Sequence, residues 1–430
     1  MATNSAFSGR SPLRTCGRWS ASSLLITVIL SLVVGLTCGL LILLAYNNLR
    51  LRTDLRTEEK LSRNLNSCLS LVLKDDPVTG SAQQKAIDLF GQGDDSAYIR
   101  EEAWGVYQVA AVEVRDGGRV RQKNFFFGSL LPANMDGCLY LAEHQRSLSI
   151  VGSTLLTGKA YLPKGGIKPG YIDQRGYDHT TLVNGDIERS GESLPTLNTG
   201  VIQYYAGLPA QDTAHGAGDM LPAVLETSFH DSLRTIWGRG ALTLSGSSLK
   251  GHILIVSDSL IDVNGDAHLE NVLLSAPVIR FRSGFSGRVQ AFGSDSVVTE
   301  DNCSFYYPSA LVLSKRTGDT RQPRLIVGGN NLLEGLALSW CADGDKNKTY
   351  AEVKSGATIQ GVLYVNGYLS LRGSVLGATL TDYFIYKSPA VIYENYLTDA
   401  ILDRGGLAGW YAGAVIFSGK KNNRILQWVN

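Results

Sequence analysis

The fold is decided by residues 357–377, which read ATIQGVLYVNGYLSLRGSVLG. Apolar side chains alternate here with small or polar ones, and Gly361, Gly367 and Gly373 follow one another at a regular interval. Glycine tolerates the positive φ that a sharp corner requires, and short apolar runs between such corners are typical of strands. The stretch therefore predicts short strands that wind into a coil.

The same order begins earlier in the chain, after Leu242. Inward-facing apolar positions recur about every 17 to 18 residues. They form two series, which are Leu244, Ile261, Ile279 and Val297, and Ile255, Val272 and Val289. Two series with one period indicate stacked rungs, so the predicted fold class is mainly β, with a parallel β-helix (solenoid) over residues 241–392.

The segments on either side of the predicted coil have a different character. Residues 76–240 are predicted to form a β-rich and loop-rich domain, because Trp104 to Val114 alternates and a turn at Asp116–Arg119 follows. Residues 393–430 carry several large aromatic side chains. We expect this tail to form a C-terminal cap that covers the open edge of the last rung.

The N-terminal region predicts a membrane anchor. Residues 19–49 contain no Asp, Glu, Lys or Arg, which predicts a transmembrane helix over 21–46. Residues 1–20 form a basic tail with Arg10, Arg14 and Arg18, and residues 47–75 are predicted to continue the helix beyond the membrane. The positive-inside rule places the tail in the cytoplasm of a bacterium and everything after about residue 47 in the periplasm or outside the cell.

Two faces of this helix are candidate packing surfaces. Gly35 and Gly39 form a G-x-x-x-G pair, on which two membrane helices approach closely, although small residues are also common in membrane helices that do not associate. Further along lies one apolar stripe with helical spacing, made of Leu61, Leu65, Leu69 and Val72. We expect this stripe to dock the helix on the globular part or on a neighbouring molecule.

The leader Arg18-Trp19-Ser20-Ala21-Ser22-Ser23-Leu24, followed by one long helix, resembles the start of type IV pilin-like proteins, in particular the minor-pilin and PilX-like group. The glycine-bounded rungs of residues 357–377 are similar to those of bactofilin-like and pilus-associated β-helix proteins. This resemblance implies a non-enzymatic, membrane-anchored structural or assembly component of a pilus or secretion-type apparatus. Its partners would be other envelope or pilus-like proteins.

A rival function comes from the acidic residues of the coil. Asp258, Asp262, Asp266 and Glu270 share one parity in the sequence, which would put several of them on one face of a sheet. Paired carboxylates carry out the acid–base chemistry of glycoside cleavage. Aspartate is, however, equally common as a solvated residue at the corners of a coil. The alternative is therefore an anchored carbohydrate-active or glycan-binding β-helix protein.

Cysteine and histidine give weaker signals. The six cysteines form no C-x-x-C spacing, and Cys303 with Cys341 is the preferred disulfide pair in an oxidising compartment, buried free thiols being the alternative. His252 and His268 would form at most a loose metal set, and lone surface histidines explain them equally. We predict no bound metal and no cofactor.

The overall charge makes nucleic acid an improbable partner. The chain has 40 Lys and Arg against 39 Asp and Glu, which gives a net charge of +1. A protein that binds a polyanion through its backbone carries a marked basic excess. We therefore expect a membrane, envelope proteins and a glycan to be the relevant partners.

Overall fold

The computed structural model describes residues 20–75, 83–88, 96–116, 118–211, 221–316, 318–342, 347–388, 391–417 and 422–429. The predicted basic tail of residues 1–20 lies outside these ranges except for its last residue. The chain divides into two compact units, Met1–Arg63 and Asn64–Asn430. Strand is the prevailing secondary structure, as the sequence predicts.

Helix α1 is Ser20–Lys74 and has no break. The large apolar side chains between Leu24 and Leu55 are exposed, and the helix is long and apolar enough to cross a membrane. It ends shortly before Asp76 and Pro77, because a proline disfavours helical backbone in the residue that precedes it. The predicted long apolar helix is confirmed.

The outer part of α1 has one buried stripe. Leu61, Leu65, Cys68 and Val72 are buried, while Leu69 is half-buried. At 3.6 residues per turn, the seventh residue after Leu61 returns to its face and the eighth turns away from it. Cys68 therefore occupies the place in the stripe that the sequence pattern gives to Leu69, and docking through this stripe stays a prediction.

A five-stranded antiparallel sheet follows the helix in the chain. Its strands have the order β1-β2-β3-β4-β27. Their bounds are β1 Gln83–Ile87, β2 Ser96–Trp104, β3 Tyr107–Asp116, β4 Arg119–Ser129 and β27 Asn423–Val429. The turn at Asp116–Arg119 lies where the sequence predicts it. Trp104 to Tyr107, however, forms a second tight turn rather than the start of one alternating strand, because Gly105 has a φ of +60°.

The coil lies between β4 and β27 in the sequence. After a short 3₁₀ turn at Ala133–Met135 its first strands are β5 Leu139–Leu141, β6 Leu148–Val151, β7 Leu155–Thr157, β8 Ala160–Leu162, β9 Ile167–Pro169 and β10 Ile187–Arg189. Helix α2, Gly200–Gln211, comes next. The remaining strands are β11 Val224–Thr227, β12 Arg234–Gly238, β13 Ala241–Leu244, β14 Ser248–Ser257, β15 Leu260–Val263, β16 His268–Phe281, β17 Ser286–Thr299, β18 Ser304–Ser314, β19 Arg324–Val327, β20 Leu332–Trp340, β21 Thr349–Val353, β22 Thr358–Leu371, β23 Ser374–Lys387, β24 Ile392–Glu394, β25 Tyr396–Thr398 and β26 Ile401–Asp403.

These strands pair in parallel from rung to rung and form three stacks. The first stack runs through β11, the start of β14 and β16, and on to β26 and β7. The second runs through β12, the middle of β14 and β16, and on to β23, β5, β8 and β10. The third runs from β13 through β15 and β21 to the ends of β22 and β23, with β25, β6 and β9 continuing it. The predicted parallel β-helix is this coil.

The observed register differs from the predicted series at its first members. Ile261, Ile279 and Val297 do stack on one another, and so do Val272 and Val289. Leu244, however, pairs with Val263, and Ile255 pairs with Leu274. The first rung is longer than a strict 17- or 18-residue repeat, and a shift by two residues keeps the same face of a strand inward.

The coil also extends beyond the boundaries that the sequence suggests. Strands β5 to β10 precede residue 241, yet they complete the coil at the end where β23 lies. The tail is not a separate cap, because β25 and β26 are rung strands and β27 is the edge strand of the antiparallel sheet. Three-residue strands give too little period to be recognised in the sequence.

Both faces of the second stack are buried. Ile253 and Ile255 point into the apolar interior of the coil. Leu254 and Val256 alternate with them and belong to a second apolar cluster, which contains side chains of the antiparallel sheet and of α2. A strand that is covered on both sides has apolar residues at consecutive positions of its sequence, and not only at alternate ones.

A column of glycines marks the junction between the first and second stacks. Gly335 pairs with Gly361, and Gly361 pairs with Gly377. Their φ angles are +139°, +148° and +152°. A Cβ on Gly361 would lie 1.9 Å from the Gly335 carbonyl oxygen, so a side chain there strains the backbone and also clashes with the adjacent rung.

We expect Gly361→Ala to lower the free energy of unfolding by about 3 kcal/mol. Urea unfolding followed by circular dichroism measures the change. Gly409→Ala is the matched control, because a Cβ at Gly409 meets no atom within 4 Å. Equal stability of the two variants would contradict the strain argument.

Candidate functional site

The four carboxylates of the predicted cluster each bond to a different partner. Asp258 accepts a hydrogen bond from the Gly240 amide at 2.6 Å. Asp266 accepts one from the Ser245 hydroxyl at 3.0 Å. Asp262 and Glu270 pair with arginines of the next rung, Arg282 and Arg288 respectively. These side chains connect neighbouring rungs of the coil, and the structure does not gather them into one site.

Arg282 is the centre of the largest of these networks. Its guanidinium donates two hydrogen bonds to Asp262, at 2.8 and 2.7 Å, and one to Glu300 at 3.0 Å. The hydrogen bonds to both carboxylates raise the pKa of Arg282 above its usual value. The network joins three successive rungs on the surface of the coil.

The predicted disulfide is not formed. No disulfide joins Cys303 and Cys341, and their thiols donate hydrogen bonds to different residues, Arg282 and Asn366. Cys303 precedes the first residue of β18, whereas Cys341 follows the last residue of its partner β20. The two lie at opposite ends of a strand pair, much too far apart for a bond that needs Cα atoms within about 7 Å. Burial raises the pKa of Cys303.

The two histidines of the loose metal set are in different environments. His268 is exposed, but His252 is buried and not a surface residue. The His252 Nε2 atom lies 2.7 Å from the Glu102 carboxylate, and its Nδ1 atom lies 2.9 Å from the Asp231 carbonyl oxygen. His252 therefore connects the coil to β2. Within the described ranges, no group of three or more His, Cys, Asp and Glu side chains is placed to hold a metal ion.

The best candidate for a binding site is a polar groove on the side of the coil. It consists of two adjoining pockets of about 410 and 670 Å³, a size typical of ligand sites. His144 and Glu192 line both pockets. The first pocket is also lined by Thr196, Trp340, Lys348, Asn366 and Asp382, and the second by Glu143, Arg146, Lys164, Tyr383 and Glu394.

Aromatic rings on successive rungs form a row, of which Tyr368, Tyr383 and His144 line the second pocket. Tyr350 pairs with Tyr368, and Tyr368 with Tyr383, in the third stack. The rings of Tyr368 and Tyr383 have centroids 5.5 Å apart. His144 stacks on Tyr383 at 4.2 Å with nearly parallel planes. We call this row of four rings the aromatic ladder.

Charged side chains in the groove are held in fixed pairs. Lys348 donates a hydrogen bond to Asp382 at 2.8 Å, and Arg146 pairs with Glu394. Glu143 accepts hydrogen bonds from the backbone amides of Gln145 and Lys164, both at 2.5 Å. These bonds lower the pKa of Glu143. Glu143 is therefore ionised at neutral pH, and with the two ion pairs the formal charges of the groove are close to balance.

The surroundings of His144 in the groove oppose the protonation of its imidazole. Burial lowers its pKa, and the charge of Lys348 acts in the same direction, against the opposing effects of Asp382 and Glu143. Its Nε2 atom is shielded from solvent and has no hydrogen-bond partner among the described residues. The neutral imidazole stacked on Tyr383 is thus the stable form at neutral pH.

Sequence reasoning does not find this groove. Its lining comes from segments that are far apart in the sequence, around residues 143, 164, 192, 340, 348, 366, 383 and 394, and no short motif joins them. One signal was present in the spacing of Tyr350 and Tyr368, whose interval of 18 residues matches the rung period, whereas Tyr383 follows after only 15 residues. Tyrosine at one position of several rungs indicates a column of rings on one face.

We expect acid to destabilise the protein through His144. A group with a lowered folded-state pKa contributes stability above the unfolded pKa, about 6.5 for histidine, and this contribution is lost as the pH falls below it. His144→Phe keeps the stack and removes the titration, so the stability advantage of the wild type over this variant should shrink between pH 7.5 and 5.5. Urea unfolding at a series of pH values measures it.

The matched control for this experiment is Tyr383→Phe, which retains His144 and its stacking partner. Its stability should follow the wild-type pH dependence over the same interval. If His144→Phe and the wild type lose stability in parallel, the histidine does not contribute and the prediction is wrong.

No protein-family model matches the chain, and no curated protein matches it. Among solved structures, the chain is similar to the competence-associated pilin ComZ from Thermus thermophilus, with 11% sequence identity and a TM-score of 0.23. The match covers 82% of this chain and 86% of that chain. A likeness at this score carries no argument about fold or function.

Proposed function

We propose that the chain is a non-enzymatic, single-pass membrane protein that displays the coil outside the cytoplasmic membrane. In this proposal it is a pilin-like structural or assembly component of a pilus or secretion-type apparatus. The observation that carries the proposal is α1, whose inner part exposes apolar side chains on every side and whose outer part is continuous with it in one helix. Such a surface is stable in lipid and not in water.

The attachment of the outer helix supports the idea of display. Its last turns, from Asn64 onward, belong to the same compact unit as the sheet and the coil. The Asn423 amide of β27 donates a hydrogen bond to the carbonyl oxygen of Asp75, just beyond the helix end, at 3.0 Å. The last turns of the helix, the sheet and the coil are thus parts of one compact unit, and the membrane span precedes this unit in the chain.

The role of the acidic residues also favours a structural function. Asp262 and Glu270 connect rungs through Arg282 and Arg288, and Asp258 bonds to a backbone amide. A general acid or base must reach a substrate, whereas these carboxylates hold neighbouring segments of the coil. We therefore propose that the coil acts by packing and display.

Fusions to topology reporters test the proposed orientation. With the N-terminus in the cytoplasm, alkaline phosphatase fused after Asn430 should be active in a bacterial host, and green fluorescent protein at the same place should stay dark. Green fluorescent protein fused before Met1 is the control and should fluoresce. A fluorescent fusion after Asn430, or recovery of the full chain in the soluble fraction, would contradict the proposal.

The helix-packing part of the proposal has a separate test. If the Gly35 and Gly39 face mediates association, replacing both residues with leucine should weaken self-association in a membrane reporter assay by about tenfold. Thr37→Leu is the control, because it enlarges a residue on the opposite side of the same helix. Equal signals from the wild type and the double variant would show that this face does not mediate self-association.

A further inference from the structure

We propose that the polar groove is a binding site for a neutral oligosaccharide, with the ring of Trp340 as the platform on which one sugar stacks. This inference goes beyond the proposed display function and does not depend on it. A membrane-anchored protein can display a coil with or without a ligand site. The argument rests on the groove's aromatic faces, its fixed polar groups and its charge balance.

Trp340 is suited to stack against a ligand. The residue is half-buried at the end of β20, where it lines the first pocket. Among the described residues its ring is not stacked on another aromatic ring, in contrast to the rings of the aromatic ladder. Trp340 packs against the second apolar cluster, and the part of its ring that lines the pocket combines apolar area with a negative quadrupole, which complements the C–H groups on one face of a pyranose ring.

The pocket that Trp340 lines also contains polar groups that can bond to hydroxyl groups. Glu192 and Thr196 are exposed, Asn366 is half-buried and Asp382 is buried, and all four line this pocket. Ionised carboxylates accept hydrogen bonds at both oxygens, and amides both donate and accept. Because Asp382 is held by Lys348, its position is fixed before a ligand arrives, which lowers the entropic cost of binding.

The charge of the groove decides between ligand classes. Its lining has four carboxylates and three basic groups, which are Glu143, Glu192, Asp382 and Glu394 against Arg146, Lys164 and Lys348. Two of the three cations are already paired with acids. A polyanion would meet no net positive field, whereas a neutral chain of hydroxyl groups finds acceptors and donors along the whole groove.

The shape of the groove favours an oligomer over a single sugar. The two pockets share His144 and Glu192 and therefore form one continuous depression. Three rings of the aromatic ladder, those of His144, Tyr368 and Tyr383, line the second pocket, whereas Trp340 lines the first. A linear ligand of several sugar units would span both pockets, with one unit on Trp340 and others beside the ladder rings.

The test is calorimetric titration of the full chain with maltohexaose, cellohexaose and N-acetylchitohexaose. The detergent must lack a sugar headgroup. We expect at least one of the three hexasaccharides to bind. Trp340→Ala should then weaken binding about tenfold, and Glu192→Gln about threefold.

Two variants keep the experiment interpretable. Trp410→Ala removes an exposed tryptophan from another part of the surface and should bind like the wild type. Glu192→Gln changes an exposed side chain and should melt like the wild type, so reduced binding by this variant cannot come from unfolding.

The proposal is overturned if none of the three hexasaccharides binds at 5 mM, on the order of the weakest affinity worth assigning. It is equally overturned if Trp340→Ala and Glu192→Gln both bind as the wild type does. Preference for a heparin hexasaccharide over all three neutral ones would show that charge controls the site, and would overturn it too. None of these results bears on the membrane orientation, which the reporter fusions test.

Discussion

The outer face of the second stack is the constraint on which the rest of the structure depends. Along β14, Ile253 and Ile255 fill the coil, while Leu254 and Val256 face outward and are equally apolar. A bare coil would leave this outer column in water, at a cost of about 1.5 to 3 kcal/mol for each exposed large side chain. The antiparallel sheet and α2 cover the column, so coil and sheet need each other to fold.

The contacts across this junction are specific as well as apolar. Gln290 of β17 accepts a hydrogen bond from the Val106 amide at 2.8 Å and donates one to the Trp104 carbonyl oxygen at 2.9 Å. Both groups belong to the tight turn between β2 and β3. Gly105 in this turn has no space for a side chain, because a Cβ would lie 2.0 Å from the Gln290 amide oxygen. The turn, and with it the register of the sheet, is thus set by the coil.

The sequence predicts those parts of the molecule whose pattern lies within one continuous stretch of the chain. The helix and the long rungs have strong periods, so α1, the strands from β14 to β18 and strand β22 could be predicted. The stretch 315–349 suggests an excursion from the coil because it is rich in charge, yet it contains the rung strands β19 and β20. The disulfide could not be judged, because only the register shows that Cys303 and Cys341 lie at opposite ends of their strands. The groove was missed because His144 meets Tyr383 only after the coil closes on β5.

Closure of the coil also explains why a site lies at this place. Strand β23 pairs with β5 and β26, which come from before and after the main run of rungs. The segments that meet there, around His144 and Glu394, do not continue the repeat, and the surface is therefore irregular. A regular coil offers a smooth face, whereas the join between distant segments leaves a depression lined by unlike side chains. The repeat builds the aromatic ladder, and the break in the repeat provides the groove beside it.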